Sequence, residues 1–97
     1  MFIKLYKLNT RQRSGADEFY LSEVRVNPSQ IVYMSEDVEM TSLMNEGKLN
    51  LGLHKAVSFT KLKLSSREGK EEMTVVDSPS IIERKILSSS GKQLLRD

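Results

Sequence analysis

The sequence has no cysteine, a single histidine (His54), and no apolar run approaching the ~20 residues of a membrane-spanning helix. Without cysteine there can be no disulfide, no thiolate metal site and no cysteine nucleophile. Small secreted domains generally depend on disulfides, so their absence points to a reducing compartment: the cytoplasm, or a particle assembled from it. The opening residues Met1 to Leu8 break their apolar character with Lys4 and Lys7, unlike the hydrophobic stretch of a secretion signal. A lone histidine leaves zinc with carboxylates almost alone, and it cannot complete a Ser-His-Asp set. The five glycines are dispersed, and none builds a phosphate-cradling loop ahead of a Lys-Ser or Lys-Thr. Glu36, Asp37 and Glu39 lack the alternating order of a calcium loop. Proline at the centre of Asn27-Pro28-Ser29 bars that triplet from glycosylation. The expectation is a protein without catalytic residues, metal or cofactor, and hence not an enzyme.

What is present suits one small soluble domain. Its 97 residues, 38% hydrophobic and 29% charged, support one modest core, and the net charge of +2 creates only a weak overall field. We read residues 1–88 as a single β domain with an insert at about 35–56, followed by a flexible tail over 89–97.

Phe2 to Leu8 reads as a strand, and Asn9 to Asp17, with no apolar periodicity and a glycine near its end, as a loop. Glu18 to Val26 is a second strand, with Tyr20, Val24 and Val26 on one face and Phe19 and Leu21 on the other. Asn27-Pro28-Ser29-Gln30 breaks it, and Ile31 to Met34 resumes as a third strand. Ser35 to Lys48 is either a mobile acidic loop or carries a short helix from about Glu39 to Asn45. Leu49, Leu51, Leu53, Val57 and Phe59 alternate as in a strand, but Leu62 and Leu64 are out of phase with them. A strand crossing that point needs a bulge or burial on both faces, which suits a small curved sheet. Ser65 to Lys70 is a turn and Glu71 to Val76 the last strand. Ser78 as N-cap and Pro79 at the first position open a closing helix, whose stripe of Ile82 and Ile86, widened by Ile81 and Leu87, should cover the sheet. Ser88-Ser89-Ser90-Gly91 ends it. The fold class is mainly β: a strongly curved antiparallel sheet or barrel of five to six strands with one C-terminal helix.

Two kinds of partner follow from the surface residues. Val38, Met40, Leu43 and Met44 in the insert, with Arg11 and Arg13 in the first loop, are candidate contacts for a protein; exposed apolar residues in a loop mark an interface. The competing reading is that the insert folds back and completes the core. Lys4, Lys7, Lys61 and Lys63 would form a basic stripe for nucleic acid if their strands were neighbours, with a tyrosine as stacking surface. Lysines on an exposed or edge strand also discourage aggregation. A homo-oligomer built by extending the sheet is a further option, and no membrane contact is expected.

Ile3-Lys4-Leu5-Tyr6-Lys7-Leu8-Asn9, then Val26-Asn27-Pro28-Ser29-Gln30-Ile31, resembles the small FlbD/SwrD-type flagellar and swarming-motility proteins. Thr60-Lys61-Leu62-Lys63-Leu64 is similar to their next strand, and Val75-Val76-Asp77-Ser78-Pro79-Ser80-Ile81-Ile82 to their closing strand and helix. Relative to that pattern the chain is longer between its first two strands and carries the insert at about 35–56. The resemblance implies a compact β domain with a C-terminal helix that works by contacting other proteins, and it supplies no catalytic residues. Similar small sequences occur in bacteriophage genomes. The functional expectation is therefore a non-enzymatic interaction or structural module of phage or bacterial origin, with a small basic nucleic-acid-binding β-barrel as the alternative.

Overall fold

A computed structural model describes residues 1–53 and 57–94, with side chains described as far as Ser89. Strands β1 (Ile3–Arg13), β2 (Ala16–Val26), β3 (Ile31–Glu36), β4 (Phe59–Ser66) and β5 (Gly69–Val76) form one antiparallel sheet in the order β2-β1-β5-β4-β3. Helix α1 (Val38–Asn45) follows β3, and helix α2 (Pro79–Leu94) follows β5. The sheet is open, with β2 and β3 at its edges, so the barrel alternative is not the form adopted.

Strand parity assigns the faces. Ile3, Leu5, Val26, Leu62 and Val75 point to one side and pack under Ile82 of α2, with Val24, Ile31, Met34, Leu64, Met73 and Ile86 around them. This is the main core, and period-2 patterning in β1, β2 and β5 specifies it. The helix begins as its sequence dictates: Ser78 Oγ accepts from the Ile81 amide at 3.3 Å, and the Ser78 carbonyl takes the first intrahelical bond from Ile82. Among the described side chains of α2, Ile82 and Ile86 form the buried stripe; Ile81 and Leu87 are exposed and do not widen it. Nor does the serine run stop α2. Ser89 Oγ donates back to the Ile86 carbonyl at 2.9 Å, a bond that lets serine sit inside a helix, and helical backbone continues through residues assigned to a tail.

The first loop expected from sequence is mostly strand. β1 runs through Arg13 and β2 starts at Ala16, joined by Ser14 and Gly15 with φ of 55° and 79°. Two central residues with positive φ make a type I′ turn, whose twist matches that of the flanking strands. The segment shows no apolar periodicity because its outer half is solvated on both faces and held by polar pairs. Arg11 and Arg13 reach Glu18 at 3.3 and 3.6 Å, Arg11 lies 4.5 Å from the Tyr20 ring centre, and Asn9 Nδ2 donates to Ser22 Oγ at 2.8 Å.

The Asn-Pro break behaves as expected. Asn27 caps a single 3-10 turn over Pro28–Gln30, and its side chain accepts from the Ser29 amide. β3 then pairs with β4 through a register shift between Ile31 and Tyr33.

The second half of the insert differs more. Residues 49 to 53 form no strand despite their alternation; β4 begins only at Phe59. Leu49 and Phe59 are both buried, but on the side opposite α2, where α1 and the following chain close over them. The change of phase after Phe59 is thus burial on both faces. Thr60, its neighbour on the α2 side, is equally buried and donates to the Asp77 carbonyl at 2.7 Å.

Candidate interaction surface

Asp37 organises the covered end of the face opposite α2. It is buried, its carboxylate accepts from the Met40 amide at 3.1 Å and from Thr74 Oγ1 at 2.9 Å, and its own amide donates to the Phe59 carbonyl at 2.8 Å. One side chain therefore caps α1 and ties it to β5, while its backbone extends the β3–β4 ladder by one bond. Thr41 Oγ1 accepts from the Phe59 amide at 3.0 Å, a second tie. At the far end of α1 the Lys48 and Gly47 amides return to the Leu43 and Met44 carbonyls, with Gly47 at φ 74°, a Schellman close. Of the acidic cluster noticed in the sequence, Asp37 is thus a helix cap, and among the described residues no group of three His, Cys, Asp or Glu could hold a metal ion.

Beside this covered end lies an apolar cleft of about 360 Å³, lined by Tyr6, Leu21, Glu23, Leu53 and Val76. Tyr6 and Leu53 are each 42% exposed there, and the register puts Leu8 and Phe19 on the same face of the hairpin. Phe19 and Leu21 share this face, as the alternation along β2 predicts, but no sequence pattern announces the cleft. Its walls come from β1, β2, β5 and the chain after α1, and only the strand order brings those together.

The candidate protein contacts fall in two places. Val38 on α1 is 64% exposed, whereas Met40, Leu43 and Met44 are half-buried, so the insert both packs on the sheet and keeps an outward apolar residue. Arg11 and Arg13 stand near the hairpin tip on the α2 side, engaged with Glu18 and Tyr20. β1 runs away from α1 toward that tip, so the two groups occupy opposite ends of the sheet.

The four lysines do not form one stripe. β5 separates β1 from β4, and the pairs Lys7–Val75 and Val75–Thr60 set a common frame for the two strands. In that frame Lys4 lies on the α1 side and Lys61 and Lys63 toward the other end, while Lys7 points to the opposite face from all three. Lys63 sits 5.8 Å from the Tyr33 ring centre and directly across from Glu72, to which Tyr33 Oη donates at 3.1 Å. That bond, with some desolvation and the charge of Glu72, raises the Tyr33 phenol above its ordinary value. His54 lies outside the described residues.

No helix among the described residues is long and apolar enough to cross a membrane. Comparison with family models, with curated proteins and with solved structures returns no match.

Proposed function

We propose that this chain is a non-enzymatic protein-interaction domain that receives a partner's apolar side chains in the cleft between Tyr6, Leu21, Leu53 and Val76. The observation that carries this reading is the cleft itself: apolar side chains from two neighbouring strands and a third converge with a loop leucine at the surface, and Glu23 is the one charged side chain among the described residues at the rim. Exposed Phe2, Tyr6 and Leu53 add apolar surface of the kind that marks a docking site. Val38 and the Arg11–Arg13 tip would then be peripheral contacts at either end, as the sequence suggested. The resemblance to FlbD/SwrD-type proteins, and a phage or bacterial origin, accord with a role exercised through contact. The nucleic-acid alternative rests on Lys61 and Lys63 beside Tyr33, with Glu72 set against them.

A photo-crosslinking residue in place of Leu53, in cells that produce the protein, should capture one protein partner. The same residue at Lys61 should capture far less. Tyr6→Lys should abolish capture and shift the unfolding free energy by less than about 1 kcal/mol, as partly exposed sites away from a core do. Capture of nucleic acid at Lys61 and of nothing at Leu53 would reverse the choice between the two readings.

A further inference from the structure

The two edges of the sheet are unequally protected. β3 is six residues long, is interrupted by the irregularity at Val32, and follows directly on the Asn27–Gln30 turn. Short length and a break of this kind discourage further strand pairing. β2 has neither: it is eleven residues without proline or glycine, in unbroken register with β1 from Ala16 to Val26. Among the described residues no strand pairs with its outer side.

The hairpin turn determines which groups that outer side offers. Arg13 and Ala16 flank a two-residue type I′ turn and so exchange both backbone bonds. Alternation along the ladder then turns the amides and carbonyls of Asp17, Phe19, Leu21, Glu23 and Arg25 away from β1. All five side chains lie on the face opposite α2, which packs over β1 and β3.

We infer that β2 pairs antiparallel with β2 of a second copy of this chain, about a two-fold axis at Leu21. In that register every outward-facing residue meets another across the interface: Asp17 opposite Arg25, Phe19 opposite Glu23, and Leu21 opposite itself. Each such pair exchanges both of its backbone bonds. The charges select this register. Asp17 enters no ion pair among the described residues, and Arg25 holds only its strand neighbour Glu23, at 3.4 Å with its own side chain 70% exposed. The two-fold places each Arg25 against the other copy's Asp17, making two cross-strand ion pairs. Sliding the register by two residues one way sets Asp17 against Glu23, and centring it on Glu23 sets like charges against each other. Leu21 also lines the cleft, so the axis joins the clefts of both copies along one face. The pairing is independent of what the cleft binds.

Light scattering and sedimentation of the full chain test it directly. The expected result is a concentration-dependent dimer that goes no further. Asp17→Arg or Arg25→Asp alone should weaken association about tenfold, since each turns two attractive cross-strand pairs into repulsive ones. The double charge swap should restore it. Leu21→Pro, which removes an outward amide, should give a monomer, with circular dichroism confirming that it remains folded. A wild-type chain that stays monomeric at its highest soluble concentration would overturn the proposal. So would a dimer whose affinity ignores the charge reversals, or open-ended growth into filaments.

Discussion

The two faces of this sheet are closed in different ways. On one side a single amphipathic helix packs over β1 and β3, and Ile82 enters a core of Ile3, Leu5, Val26, Leu62 and Val75. On the other, an eight-residue helix and the chain after it seal only the end around Phe59 and Leu49, with Asp37 buried beneath them. Beyond that seal the apolar cleft and the polar field of Lys61, Lys63 and Glu72 meet solvent. The helix face is held by apolar burial, and the opposite face by a few directed bonds over one buried ring. Such division of labour leaves the second face free for contact.

The sharpest test of that difference compares its two anchors. Leu62→Ala on the helix face should cost about 2–5 kcal/mol and Phe59→Ala on the other about 3–5 kcal/mol, both read by denaturant unfolding. If the seal around Phe59 were only peripheral, its truncation would cost far less than that of Leu62, and the partly covered face would count as surface. Asp37→Ala comes next, at about 1–3 kcal/mol, because it removes the cap of α1 and leaves the Met40 amide and Thr74 hydroxyl without their acceptor. Hydrogen exchange should show that loss concentrated in α1, with the amides of β1 and β5 still protected. The smallest effect lies at Tyr33. Its phenol titrates above the ordinary 10.0 in the folded chain, so the neutral form is favoured by folding. That contribution is complete below pH 10 and disappears as the pH climbs through the folded value. A slight fall in melting temperature at strongly alkaline pH, absent from Tyr33→Phe, would show it.

Sequence patterning revealed the helix face well and the other face poorly, for physical reasons. Ile3, Leu5, Val24, Val26, Leu62 and Leu64 obey a period of two because they sit where one side of their strands is buried under α2. Ser78 and Pro79 announce α2 because caps are local chemistry. Leu49, Leu51 and Leu53 obey the same period without being a strand: Leu49 is buried, Leu51 half-buried and Leu53 exposed, so the alternation reflects no sheet. The outer half of the first hairpin failed in the reverse sense. It is a strand pair without apolar alternation, held by a turn whose second residue is glycine and by Arg–Glu pairs across it. The cleft needed strand order, and nothing in residues 1 to 53 states that β1 will lie beside β5.

That adjacency has a consequence in time. β1 and β5 meet at Lys7 and Val75, more than two thirds of the chain's length apart, whereas the β1–β2 and β4–β5 hairpins are local. A ribosome delivering this chain in order would release both edges of the sheet before its middle could close. The early hairpin would wait, its future neighbour unmade, until the segment ending near Ile82 had emerged. Contacts of such long sequence separation form late and slowly. Synthesis arrested anywhere before β5 should therefore leave a nascent chain that proteases digest readily, and protection should arrive in one step as the last strand and the first turn of its helix clear the tunnel.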